Sequence, residues 1–324
     1  MNNDKTVAIG VLAFNEQDFI EEVLNNLLTL NVHVYVINDG STDSTMNILK
    51  RFETNPLITI IDNPKNMGAG NSTLKILKEI RKNNYYYMLK IDGDNQFKLE
   101  DVKKILALLQ TKKYDFIKSN RFWSKGIEGA IPQKRYIGNL LATILLQIVS
   151  GTNKIYDPLN GLFAVKVEIL DAINKRMYPK RYGYPFYFSA ISAISFYRIY
   201  QINNVVTYGT EKSSLSSFKM VFTLSRLIVY FYILKIKKKL LIGKYQRSAF
   251  LDIISVSFLF ISLLTILRFF LIFLPINFFD TSNIGSWALI SLVLALFNVL
   301  IFVEAFKEEK AVRDRFIENE DLIE

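Results

Sequence analysis

The 324 residues contain no cysteine, so neither a disulfide framework nor a thiolate metal site can form. Histidine is nearly as scarce. The single one, His33, lies in the apolar run NVHVYVI, where a satisfied side chain in or beside a strand is expected. Zinc sites and histidine-based triads need imidazoles that this chain does not have. There is no G-x-x-x-x-G-K-[ST], which removes the P-loop, and no G-x-G-x-x-G after the first apolar run, which argues against a nicotinamide cofactor. The opening MNNDKTVAIG goes straight into a strand-like run, so no cleavable signal is expected.

What is abundant is positive charge and apolar length. The net charge is +10, a value that nucleic-acid binders share, so its distribution decides. Basic residues crowd at Lys235, Lys237, Lys238, Lys239, Lys244 and Arg247, and again at Lys307, Lys310, Arg313 and Arg315. Both clusters abut long apolar stretches, which points to anionic lipid headgroups and not to nucleic acid. Those stretches, about 249–275 and 284–306, each exceed the roughly 20 helical residues needed to cross a bilayer. The connection PINFFDTSNIGS carries no lysine or arginine. The positive-inside rule therefore predicts a transmembrane hairpin in the cytoplasmic (inner) membrane, with the bulk of the chain and both termini cytoplasmic.

Residues 1 to about 120 alternate strand-length apolar runs with longer amphipathic segments. Runs 6–13, 32–37, 57–61, 85–91 and 114–117 read as strands, and 17–30, 44–52, 70–82 and 100–110 as helices. That alternation predicts an α/β fold, a mostly parallel sheet with helices on both faces. Such sheets bind ligands beyond the carboxyl ends of their strands. The polar clusters FNE, NDGSTDS, DNPKNMGAG, DGDNQ and SNR all fall there. A helix at about 135–149, the segment YDPLNGLF and a further helix and strand follow. Segment 214–239 mixes aromatic and apolar residues with lysine and arginine, and reads as one or two helices in the membrane interface. The expected division is an α/β domain over 1–210, interfacial helices over 211–245, two spans within 246–306 and a charged tail over 307–324.

Within KIDGDNQF, Asp92 and Asp94 are two apart, so in an extended segment both face one side. Paired carboxylates with no sulfur or imidazole nearby suit a hard cation, Mg²⁺ or Mn²⁺, with the Gln96 carbonyl as a further donor. An Asp-Gly turn with capping carboxylates is the plainer alternative. Asp39, in NDGSTDS, ends the second run and can reach a ribose or base. The NMGAG glycines precede a helix, where backbone amides can meet phosphate.

In this order and spacing, VLAFNE, VINDGSTDST, NMGAGNS, KIDGDNQF, SNRF and DPLNGLF resemble the family-2 glycosyltransferases of the GT-A fold. More narrowly, the chain is similar to the polyprenyl-phosphate glycosyltransferases, including the dolichol-phosphate mannosyltransferases, and its two apolar stretches match the bacterial members. The resemblance covers residues 6 to about 216. It implies a nucleotide-sugar site of Ala13, Phe14, Asn15, Glu16, Asp39, Asn66, Gly68, Asp92 and Asn160. It implies a divalent cation on Asp92, Asp94 and Gln96, and a grip on the acceptor phosphate by Arg121 and Arg135. Asp94, Arg121, Arg135 and Asp157 would then be the catalytic group. The family's glycine before Ser-Arg is not reproduced, since residues 119–121 read Ser-Asn-Arg.

The expected reaction is inverting transfer of a sugar from a UDP- or GDP-sugar to undecaprenyl or dolichyl phosphate. The alternative acceptor is a hydroxyl of a lipid-linked oligosaccharide or another envelope glycan. A processive polysaccharide synthase would carry Q-x-x-R-W, and neither Trp123 nor Trp287 lies in one. The partners expected are the donor, the lipid acceptor and the membrane, with no nucleic acid; a homo-oligomer is left open.

Overall fold

The computed structural model describes residues 5–122, 133–204, 217–271 and 284–320. It divides into two compact units, Met1–Tyr232 and Ile233–Glu324.

In the first unit, strands and helices alternate: β1 (Val7–Ala13), α1 (Ile20–Leu28), β2 (Val34–Asn38), α2 (Thr45–Lys50), β3 (Ile58–Asp62), α3 (Ala69–Lys82), β4 (Tyr87–Asp92), α4 (Leu99–Gln110) and β5 (Phe116–Asn120). Then come α5 (Gln133–Ser150), β6 (Phe163–Lys166), α6 (Tyr184–Ile194), β7 (Ile199–Asn203) and α7 (Ser217–Leu241). The sheet order is β3-β2-β1-β4-β6-β5-β7. Among the described strands only β6 runs antiparallel, wedged between β4 and β5. The central strands are apolar on both faces: Ile9, Val34 and Leu89 on one and Ala8, Tyr35 and Met88 on the other lose all or nearly all solvent contact. That is the pattern of a sheet covered on both sides. Each such Val or Ile stabilises the fold by about 1.5–3 kcal/mol through transfer from water.

This topology fixes where a site can form. Strands β1, β2, β4, β5 and β7 are parallel, so their carboxyl ends share one edge. Because β6 is reversed, its amino end reaches that same edge and delivers residues 157–162 there. The loops at this edge turn sharply, with positive φ at Asn15 (58°), Gly40 (70°), Gly68 (93°) and Asn95 (55°). Only glycine and asparagine adopt that geometry at little cost.

The second unit holds the end of α7, α8 (Gln246–Leu271) and α9 (Ile284–Glu320). Windows of 22 and 24 residues, Gln246–Leu267 and Ala288–Ala311, are long and apolar enough to cross a membrane. Polar side chains tie the two helices together: Asn298 Nδ2 donates to the Ser255 carbonyl (2.8 Å) and Ser291 Oγ to Thr265 Oγ1 (2.7 Å). Asp252 of α8 and Glu309 of α9 are buried with Lys235 and Lys239 of α7. Lys239 Nζ lies 2.6 Å from both carboxylates, and Lys235 Nζ 3.4 and 3.6 Å from them.

Two features depart from the sequence reading. The basic run at 235–239 is not wholly directed at lipid headgroups. Lys235 and Lys239, one helical turn apart, face inward to carboxylates that lie far along the sequence, while Lys237 is exposed. Strand β6 has no sequence signal either, since FAVK is too short to show a period.

Candidate active site

Two loops at the carboxyl edge are laced together. The Asn15 amide donates to Ser41 Oγ (3.0 Å), the Glu16 amide to Thr45 Oγ1 (2.8 Å), and the Thr42 amide to Asn15 Oδ1 (2.8 Å). Asp43 receives the Thr45 hydroxyl and the amides of Thr45 and Gln17. Partial burial works against its charge, but these bonds win and hold its carboxyl below the ordinary range. Ala13 is buried and its carbonyl accepts the Asp39 amide (2.8 Å), whereas Phe14 is 42% exposed. The FNE tripeptide is thus a rigid rim with one aromatic ring uncovered.

Asp39 is buried and accepts from Asn63 Nδ2, Ser72 Oγ and the amides of Met67 and Gly68, all at 2.8–2.9 Å. Four donors use most of a carboxylate's acceptor capacity. Its described bonds therefore brace the 63–72 loop. Asn66 Oδ1 accepts from Arg181 Nη1 (2.8 Å), and the Asn71 amide donates to the Lys180 carbonyl (2.9 Å). A Cβ at Gly68 or Gly70 would collide with the backbone of 179–181, so these glycines admit a second layer of chain. The Gly68 amide, offered to phosphate by the sequence reading, is engaged by Asp39.

Asp92 and Asp94 stand at the end of β4, with the Gln96 amide donating to Asp94 Oδ1 (3.2 Å). Asp92 is ion-paired: Lys90 Nζ, fully buried, lies 2.5 Å from its Oδ1. Its Oδ2 rests against Gly161, where any Cβ would overlap it. Tyr184 is buried near enough to feel both carboxylates. Burial, then the charges of Asp92 and Asp94, push its phenol well above the ordinary value, and Lys90 Nζ sits 5.3 Å from its ring centre.

Arg121 directly follows β5 and is clamped by Asp157. Its Nε donates to Oδ2 (2.7 Å), Nη2 to Oδ1 (3.0 Å) and its amide to Oδ2 (3.2 Å). Asp157 has no solvent exposure, and its bidentate partner is the arrangement that fixes a guanidinium most firmly. Asn160 is buried as well: its Nδ2 donates to the Ser119 carbonyl (3.2 Å), and its own carbonyl accepts from Lys118 Nζ (2.5 Å). Burial pushes the Lys118 ammonium down to about 7, partly opposed by Asp157. Lys90 and Lys118 both sit opposite Phe163 of β6, so the wedged strand brings two buried cations to one side of the sheet. Segment 157–161 thereby joins Asp92 to Arg121. Arg135 lies in the first turn of α5, and its side chain falls outside the described residues.

Sequence reasoning does not single out Lys90, Lys118, Gly161, Tyr184 or Arg181. One signal is readable. In YYYMLKID, Lys90 precedes Asp92 by two, which puts it on the same face of an otherwise apolar strand.

Among the described residues no group of three or more His, Cys, Asp or Glu could hold a metal ion. The local donors, Asp92, Asp94 and Gln96, supply oxygen only. That set suits a magnesium-like ion, which takes one or two carboxylates and completes its shell with substrate phosphates and water. With Asp92 and Asp157 already paired, the edge is not a cluster of bare carboxylates, and a diphosphate can approach it.

The Glycosyl transferase family 2 model matches residues 8–173. An uncharacterized protein of Methanocaldococcus jannaschii is 34% identical over 166 residues, 49% of this chain and 70% of its own. The UDP-N-acetylglucosamine–dolichyl-phosphate N-acetylglucosaminyltransferase of Methanococcus voltae is 24% identical over 193 residues, 55% of this chain and 76% of its own. Among solved structures, glucosyl-3-phosphoglycerate synthase from Mycobacterium tuberculosis, in complex with Mn²⁺, UDP and glucosyl-3-phosphoglycerate, has a similar fold. Its TM-score is 0.52 at 17% identity, covering 71% of this chain and 79% of that one. TarS of S. aureus with UDP-GlcNAc gives 0.51 at 19% identity, over 72% and 70%. A mixed seven-stranded sheet with GT-A neighbours, and a family match over half the chain, make the assignment: this protein is a glycosyltransferase and belongs to glycosyl transferase family 2.

Proposed function

We propose that the chain transfers a sugar from a nucleoside-diphosphate donor to a polyprenyl phosphate at the cytoplasmic face of a membrane, with inversion at the anomeric carbon. The observation that carries this reading is the Arg121–Asp157 clamp. A guanidinium held from behind by a buried carboxylate is pre-aimed at a phosphate. The same pairing makes Asp157 a poor base, because both its oxygens accept from Arg121 and water does not reach it. A phosphate acceptor needs no base, since its second pKa of about 6 leaves it largely ionised near neutral pH. Asp157 then acts by positioning Arg121, and Arg135 is proposed as a second grip on the acceptor.

Asp92, Asp94 and Gln96 would hold Mg²⁺ or Mn²⁺, which when bound offsets the negative charge that develops on the departing diphosphate. Phe14, with Ala13, Asn15 and Glu16, would face the nucleotide, while Asp39, Asn66 and Gly68 would shape that pocket by holding its wall. Asn160 lies between the carboxylate pair and Arg121 and would orient the sugar. Two helices long enough to span a bilayer support the lipid acceptor, as does the activity of the M. voltae relative, which also makes UDP-N-acetylglucosamine the first donor to try. An even number of spans with basic flanks would put the catalytic unit and both ends of the hairpin on the cytoplasmic side.

The test is glycolipid formation by detergent-solubilised full chain with Mn²⁺, a panel of UDP- and GDP-sugars, and undecaprenyl or dolichyl phosphate. Radiolabel should enter the lipid fraction. Arg121→Ala should lower kcat/KM by roughly 10²–10³-fold, as expected when a charge-stabilising donor is lost. Asp157→Asn should slow transfer without abolishing it. Complete loss in Asp157→Asn, with Arg121→Ala only mildly impaired, would favour a hydroxyl acceptor that requires a base.

A further inference from the structure

A basic groove opens at the amino ends of the strands, away from the carboxyl edge that carries the candidate active site. Lys5, His33 and Tyr85, which line it, lie just ahead of β1, β2 and β4. The groove runs between α3 and the outer strands β2 and β3, and encloses about 640 Å³. Small-molecule sites occupy about 300–1,000 Å³. Helix α3 contributes Lys75, Lys78 and Lys82, at spacings that put all three along one face. The one carboxylate among the lining residues is Glu79, 3.7 Å from Lys82. Lys75 is occupied within the fold, its Nζ donating to Asn63 Oδ1 (2.7 Å). Lys78 is exposed and has no partner among the described residues. Lys5 Nζ lies 5.3 Å from the centre of the Tyr85 ring.

Lysines along the outer face of a helix are ordinarily just solvated. Two observations set these apart. The first is that the groove also has aromatic lining. His33, Tyr35 and Tyr85 form a cluster with ring centres 4.9–6.0 Å apart. Tyr35 is buried and the other two are half-buried, so the rings are held in place. His33 Nε2 is hydrogen-bonded to Thr59 Oγ1 (2.8 Å). Burial, then the charge of Lys5, hold its imidazole below the ordinary value, so it presents a neutral ring at pH 7. The second is that Lys5 reaches the same cavity from a distant part of the chain, which gathers like charge where Glu79 is the single lining anion. We propose that this groove binds a nucleotide, with its phosphates on Lys5, Lys78 and Lys82 and its base against His33 and Tyr85. Ammonium groups take phosphate as point charges, and a base stacks on any aromatic face. The site is separate from the donor pocket, and the proposal needs neither the lipid acceptor nor the membrane.

The test is equilibrium dialysis of the full chain in detergent against radiolabelled ADP, UDP and GDP. EDTA and the substitution Asp94→Asn suppress metal-dependent binding at the candidate active site. At least one nucleotide should be retained, close to one per chain. Lys78→Glu combined with Lys82→Glu should raise its Kd by at least about tenfold, since two attractions become repulsions. Both side chains are exposed, so the thermal midpoint without ligand should stay where it was. Lys78→Gln alone, at a position with no described partner to lose, should weaken binding severalfold. Inorganic pyrophosphate should compete about tenfold less well than the retained nucleotide, because it has no base to set against the rings. Retention of none of the three overturns the proposal, and so does retention that is indifferent to the lysine substitutions. Pyrophosphate competing as well as the nucleotide overturns it too, since the groove is then a plain anion patch. No turnover or metal enters this measurement, so its failure leaves the glycolipid assay standing, and an inactive donor–acceptor pair leaves this result intact.

Discussion

Lys118 shows how far one residue can bend the titration of the whole chain. Its ammonium is fully buried, and burial lowers its pKa from 10.5 to about 7. The folded value lies below the unfolded one, so between about pH 7 and 10.5 the unfolded chain binds the extra proton. Stability relative to Lys118→Met should therefore rise with pH across that window, by up to about 1.4 kcal/mol per unit, and be lost again as pH falls to about 7. Thermal midpoints of both full-length proteins in detergent from pH 6 to 10.5 measure this directly, and a flat difference would mean that water reaches the ammonium. Sequence could reveal the carboxylates but not this cation. Asp92 and Asp94 advertise themselves because an i, i+2 acidic pair closes an apolar strand. Lys118 sits in FIKSN, where a strand lysine is ordinarily on a solvated face. In the fold its Nζ is enclosed by the Asn160 carbonyl and the Phe163 ring, 5.2 Å to the ring centre, which come from far along the chain.

Among the elements, α7 carries a comparable surprise. Lys235 and Lys239 meet Asp252 and Glu309 in a buried, net-neutral quartet within the second unit. Removing one member leaves an uncompensated buried charge, typically at a cost of about 3–5 kcal/mol, whereas replacing all members with apolar groups is often neutral. Asp252→Ala should thus lower the thermal midpoint in detergent, and the combination of Lys235→Met, Lys239→Met, Asp252→Leu and Glu309→Leu should recover it. A quadruple variant no better than the single one would show that the charges are needed for more than mutual neutralisation. The first five strands and four helices are legible in the sequence because each follows a clear apolar period and ends in turn residues. The inward lysines of α7 are not, since their partners lie in other helices and nothing local distinguishes them from Lys237.

For the whole molecule, the question open to measurement is sidedness. The proposed hairpin returns the chain to its starting side, so Lys103→Cys and Lys310→Cys should be labelled together by a membrane-impermeant maleimide in inverted membrane vesicles and protected together in sealed spheroplasts. Protection of only one would break the hairpin reading. The wedge formed by β6 has a separate consequence, which concerns the order of synthesis. Both edges of β5 stay unpaired until residues 163–166 and 199–203 have been made, because β6 and β7 are its partners. Pairing across such sequence distances is slow and leaves strand edges open to wrong neighbours. The helices long and apolar enough to cross a membrane begin only at residue 246, after the last described strand. On the proposed membrane setting, the described sheet is complete in the nascent chain before either long apolar helix emerges, and a pause in translation between β7 and α8 would lengthen the interval in which the catalytic unit closes on its own.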